Sequence, residues 1–221
     1  MLKRANQGGG ETLALSEGDD LADVPESHLD CVTDSVREAF RDPVAYFAAV
    51  ADQVVIPNLQ RYLERFIAEG RWSLLLAETF MMDRATVAAF QWIHPEQYYC
   101  MFGVQDSDCG DQRFATFYSQ LAMAHWDSIA CAGGIVSYHQ QISVAMYGMP
   151  STNPSFPAES TMVFGHSSCG DAMVCNASGK AGFLSHENGA SYVIGSFEEM
   201  LDWIFGELLH MRTPEFDYSR C

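Results

Sequence analysis

Basic residues are scarce in this chain. Its 221 residues include 12 Lys and Arg against 29 Asp and Glu, a formal net charge of -17. Such a field repels nucleic-acid phosphates and anionic membrane surfaces, so it excludes both as partners and leaves a basic partner as the complement. From Phe114 to Met211 the single Lys or Arg is Lys180. Apolar runs of about 18 residues, the length a membrane helix needs, are missing. So is the apolar core of a secretory signal after Lys3 and Arg4. The seven cysteines are scattered, odd in number and never in a C-x-x-C pair, which argues against a disulfide framework. These absences predict a soluble, cytoplasmic protein. With 48% hydrophobic and 19% charged residues it can bury a sizeable core.

Catalytic signatures are missing as well. GHSSCG, residues 165–170, is not the G-x-S-x-G elbow, because Cys169 stands where the second Gly belongs. NASGKAG lacks the spacing of a phosphate-binding loop, and neither H-E-x-x-H nor a zinc-deaminase pattern occurs. His166, Cys169, Cys175 and His186 crowd one stretch, but Cys169 and Cys175 are six apart, unlike the spacings that converge on zinc. Asp171 follows Gly170 and reads as a turn or backbone-capping carboxylate. No catalytic, metal or cofactor residue is assigned.

What is present is an α+β pattern: a helix-rich N-terminal half, then an antiparallel meander covered by a C-terminal helix. Residues 1–28 are Gly-rich and then acidic, and are expected to form a mobile arm. Residues 29–149 form the helix-rich region. Asp42 before Pro43 predicts a capped helix start. Leu59, Tyr62, Leu63, Phe66 and Ile67 then keep helical spacing until Gly70. Asp83 is expected to cap a helix over ATVAAFQWI that His94-Pro95 ends. QYYCMFGV reads as a strand and QDSDCGDQ as a loop. Phe114, Phe117, Tyr118, Leu121 and His125 predict another helix up to Gly133-Gly134, and QISVAMYG a strand.

PSTNPSFPAES, residues 150–160, is the best internal boundary, and residues 150–221 form the last unit, packed with the preceding region. TMVFG, AMVCN, GFLSH and SYVIG are short strand-like runs separated by turn compositions. Ser196 and Glu199 fit a capping box, and Phe197, Leu201, Ile204, Phe205 and Leu208 form one apolar helix face.

The order F-G-x-x-x-x-G-D, strand, N-x-S-G turn, strand with His186, YVIG and SFEEMLDWIF resembles the C-terminal half of the SUKH superfamily of bacterial toxin-immunity proteins. A similar G-D hairpin occurs in some type VI secretion immunity proteins. The resemblance spans roughly residues 160–210, under a quarter of the chain; residues 31–149 lack the family's early N-G-like turn. It implies turn geometry, capping and core for Gly165, Gly170, Asp171, Ser196 and Phe197. Together with the charge, it implies an immunity protein that occludes a cognate toxin, a basic one such as a nuclease. The helix carboxylates Glu198, Glu199, Asp202 and Glu207 are the expected partner-binding residues. The alternatives are a thiol-dependent hydrolase using Cys169 with His166 or His186, and a non-catalytic regulatory scaffold.

Overall fold

The computed structural model describes residues 3–7, 10–78, 86–93, 99–104, 109–128, 131–136, 138, 141–149, 154–167, 169–210, 212 and 214. One antiparallel sheet of twelve strands organises them. Its strands are β1 Lys3–Gln7, β2 Gly10–Ser16, β3 Arg71–Glu78, β4 Thr86–Ile93, β5 Tyr99–Val104, β6 Leu121–Ser128 and β7 Cys131–Ile135, then β8 Ile142–Ser143, β9 Thr161–His166, β10 Ala172–Asn176, β11 Lys180–Leu184 and β12 Ser191–Ser196. Neighbours in the sheet follow chain order, except that β7 pairs with β9 and the short β8 lies beside β9. The helices are α1 Asp34–Arg41, α2 Pro43–Gln53, α3 Pro57–Glu69, the single turns α4 Ala115–Tyr118 and α5 Val144–Tyr147, and α6 Phe197–Leu209. The α+β class expected from the sequence holds.

The expected mobile arm is a correction. Leu13 and Leu15 recur at period two in β2, where strand geometry sends both to one face, and they are 2% and 0% exposed. Paired with β3 at Leu76 and Leu74, β2 extends the sheet under the helices. Further along, Val24 and His28 are also buried. Acidic composition hid a strand of ordinary alternation.

Two helices expected in the N-terminal half are a second correction. Only α1, α2 and α3 are long helices there, and residues 71–135 supply five strands. Within ATVAAFQWI, Thr86–Ile93 is β4, in which Phe90 and Trp92 point into the core at period two; Asp83 lies outside the described residues. The helix expected from Phe114 is one turn, after which Leu121 begins β6. Runs that are apolar at most positions satisfy both periods, and pairing with neighbouring strands decided between them. QISVAMYG is strand for two residues only, because the Ser143 hydroxyl caps the α5 turn at the Met146 N–H, 3.2 Å away.

Elsewhere local signals and structure agree. Within QYYCMFGV, Tyr99–Val104 is β5, Asp42 accepts from the Ala45 N–H at 3.0 Å to cap α2, and Gly70 ends α3. The four C-terminal runs are β9 to β12 in meander order. Their first two turns hold Gly170 at φ +89 and Gly179 at φ +81, conformations that other residues rarely adopt. Asn176 organises the second turn, its Oδ1 accepting from the N–H groups of Ser178 and Lys180. The capping box of α6 is complete: Ser196 Oγ accepts from Glu199 N–H at 3.2 Å and Glu199 Oε2 from Ser196 N–H at 2.7 Å.

The main core lies between the sheet and α2, α3 and α6. Phe47, Tyr62, Phe66, Phe90, Trp92, Phe102, Trp126, Leu201, Ile204 and Phe205 belong to one buried cluster that runs from Leu13 to Phe205. A smaller cluster, including Val144, Phe156, Val163, Val174 and Leu184, covers the opposite face of the meander. In β10, Met173 and Cys175 enter the first cluster while Ala172 and Val174 enter the second, so this strand is buried on both faces. The sheet and the main core continue on both sides of residues 150–160, of which 154–160 are described.

Candidate functional site

Helix α3 begins without a side-chain cap of its own, because Ile56 occupies the N-cap position before Pro57. The missing acceptor comes from α6. Asp202 Oδ1 accepts from the Asn58 backbone N–H at 2.8 Å, and the Asn58 side-chain amide donates to Asp202 O at 3.0 Å and Oδ2 at 3.1 Å. About two turns further on, Arg65 donates to the carbonyl of Leu209 at 3.3 Å. Both contacts join residues 144 apart, so the two helices run side by side in the same direction. Gly206 permits this approach: a Cβ there would meet Asn58 Nδ2 at 3.0 Å.

A cleft of about 610 Å³ opens where the start of α3 meets α6. All four carboxylates expected from the sequence to face a partner line it. Each also has work inside the chain. Glu198 accepts from the Thr116 hydroxyl at 2.9 Å, Glu199 closes the capping box, Asp202 caps α3, and Glu207 pairs with Arg212. One hydrogen bond does not exhaust a carboxylate, which has about four lone-pair sites. The cleft is therefore rich in acceptors. Its apolar lining includes Trp203, which packs edge-on against Phe183 at 5.8 Å, and Val55, which is 75% exposed.

The stretch with two thiols and two imidazoles is spread by the meander rather than gathered. Cys175 points into the main core beside α6, and burial pushes its thiol up to about 11. Cys169 is exposed on the β9–β10 turn. His166 stacks on Tyr147 with ring centres 5.4 Å apart and its Nδ1 3.2 Å from the phenol oxygen; burial lowers its pKa below the usual 6.5. Buried Asp171 accepts from the backbone N–H of His186 at 3.0 Å, and its Oδ1 lies 2.9 Å from His186 Nδ1. That carboxylate ties the β9–β10 turn to the β11–β12 turn. Among the described residues no group of three or more His, Cys, Asp and Glu side chains is placed to hold a metal ion. Among them also, no helix is long and apolar enough to cross a membrane.

Comparison with protein-family models, with curated proteins and with solved structures finds no match to this chain.

Sequence reasoning missed Asn58, Thr116, Val55 and Arg212 as members of the cleft region. One signal was available: a helix starting Ile56-Pro57 has no Ser, Thr, Asp or Asn to cap it, so its cap had to come from elsewhere. Arg113 was missed too. It donates Nε to Asp111 Oδ1 at 3.0 Å and Nη1 to Asn176 O at 3.0 Å, with its guanidinium 5.2 Å from the Phe114 ring centre. It holds the Asp111 carboxyl below the ordinary carboxylate range and anchors the loop after β5 to the meander.

Proposed function

We propose that this chain is a non-catalytic, cytoplasmic immunity protein that binds a cognate secreted bacterial toxin, a basic one such as a nuclease, and occludes its active site. The observation that carries this reading is the cleft, where four carboxylates and an aromatic ring line the open junction of α3 and α6. Such a site fits a basic protein surface: the carboxylates steer and orient it, and a half-buried aromatic supplies short-range affinity. The net charge of -17 and the resemblance of residues 160–210 to immunity proteins support the same reading.

Co-expression with a candidate basic toxin domain tests it. Protection of the cell is expected, with Trp203→Ala weakening the purified complex by about tenfold or more, as for an aromatic anchor. Full affinity in Trp203→Asp would remove the cleft from the interface, and absence of protection by the wild type would overturn the reading.

One observation favours the thiol-hydrolase alternative over a scaffold. Asp171 engages Nδ1 of His186, which leaves Nε2 of a side chain that is 43% exposed to act as base, and the His186 ring lies 3.8 Å from where a Gly170 Cβ would stand, one residue from Cys169. His166 is the poorer candidate, since its Nδ1 faces Tyr147. Loss of protection on Cys169→Ser, with the toxin complex still formed, would select the hydrolase.

A further inference from the structure

The cleft already holds one guanidinium, and it belongs to the chain itself. Beyond the end of α6, the Arg212 backbone N–H donates to the Glu207 carbonyl at 2.9 Å, which turns the chain back along the helix. Its side chain then makes a forked pair with the Glu207 carboxylate, Nη2 to Oε1 and Nε to Oε2, each 2.8 Å. Both residues line the cleft. Their exposures are unequal: Glu207 is 22% exposed and Arg212 61%. The carboxylate is thus part of the cleft wall, while the arginine lies on it from outside.

The other three acidic residues of the cleft are met differently. Glu198 accepts from a hydroxyl, Glu199 from a backbone N–H, and Asp202 from the backbone and side-chain amide of Asn58. None of those contacts supplies positive charge. Among the described residues lining the cleft, Arg212 is the one Lys or Arg. The fork it forms with Glu207 is a geometry that a lysine ammonium cannot reproduce. A carboxylate offers one such fork, so a second guanidinium can reach Glu207 in the same way only by replacing the first. An exposed ion pair contributes little to folding, so replacing it leaves the fold intact.

We propose that Arg212 is an internal occupant of the cleft, standing where an arginine of the partner docks, and that the partner's guanidinium displaces it. This rests on the reading of the cleft as the partner site and goes further in two respects. It specifies arginine over lysine as the anchoring chemistry, and it makes Arg212, three residues past the end of α6, a built-in competitor that lowers affinity until a correct partner arrives. A competitor in place nine-tenths of the time lowers apparent affinity about tenfold.

The test titrates the full chain with acetyl-Gly-Arg-Gly-amide, and separately with its lysine counterpart, at fixed ionic strength. The readouts are the NMR signals of the Trp203 indole N–H and the Asn58 side-chain amide. Arg212→Ala is expected to bind the arginine peptide about tenfold more tightly than the wild type. The lysine peptide should gain much less, and adding Glu207→Gln should abolish the gain. Arg212→Lys, which keeps the charge but loses the fork, should fall between. An arginine peptide that shifts Trp203 equally in wild type and Arg212→Ala, or more weakly in the variant, overturns the competitor while leaving the cleft as a partner site. Equal gains for both peptides show charge removal alone and overturn the arginine specificity. No shift of Trp203 or Asn58 in any form overturns both the competitor and the cleft reading.

Discussion

At the scale of single residues, Asp202 shows how a side chain chosen for its charge is held by its geometry. Its carboxylate supplies the N-cap that Ile56 cannot, across 144 residues of chain. Asp202→Ala leaves the Asn58 N–H and side-chain amide without that acceptor, and is expected to lower stability by about 1–3 kcal/mol. Asp202→Asn keeps an acceptor oxygen and should lose less. Urea unfolding of the two variants measures the difference, and a wild-type midpoint in Asp202→Ala would show that water replaces the cap at no cost. His166 gives a pH prediction. Burial lowers its folded pKa below 6.5, so at acidic pH the unfolded chain binds more protons than the folded one. The stability it contributes is fully present above pH 6.5 and is lost as pH falls through the lower folded value. Unfolding midpoints compared at about pH 8 and about pH 5.5 should show a smaller acid loss in His166→Gln than in wild type. An identical loss would assign the effect to other groups.

At the scale of elements, β2 matters most because its role reverses with its context. A stretch flanked by glycines and carboxylates supplies two fully buried leucines to the main core. Leu13→Ala and Leu15→Ala should each cost about 2–5 kcal/mol, the range for large-to-small core changes. Deleting residues 1–16 should lower the melting temperature sharply; an unchanged value would mean that β3 is stable as a sheet edge. The three helices of the main layer depend on one another in the same way. α6 starts at its own capping box, but α3 starts at a cap lent by α6, so damage to α6 reaches α3.

At the scale of the whole molecule, the excess of negative charge sets the self-repulsion of the folded chain. Ion pairs such as Arg113 with Asp111 and Arg212 with Glu207 join residues close in sequence, and with 12 Lys and Arg against 29 Asp and Glu most carboxylates stay unneutralised. Screening that repulsion should raise the melting temperature between about 20 and 500 mM sodium chloride, where the Debye length falls several-fold. For a chain of this size, each kcal/mol of repulsion removed corresponds to about 2–4 °C. A falling melting temperature would show that attractive pairs dominate instead. The association rate with a basic partner should move the opposite way, dropping as salt weakens long-range steering.

Features decided within a few residues could be read directly from the amino-acid order. The Asp42-Pro43 helix start, the Ser196–Glu199 capping box and the glycine turns that mark off the four strand runs of the meander involve bonds or conformations closed within one turn of chain. Residues 71–135 could not be read this way. Their apolar positions fit helix and strand alike, and only pairing β3 through β7 edge to edge beneath α2 and α3 selected strand. The same limit applies to the cleft. Its carboxylates were visible as the polar face of a helix, but the Asn58 clamp, the Trp203 wall and the Arg212 fork exist only because α3 lies beside α6. A hydrogen bond across 144 residues has no periodicity to announce it; it depends on both helices being pressed against the same sheet by burial of their other faces.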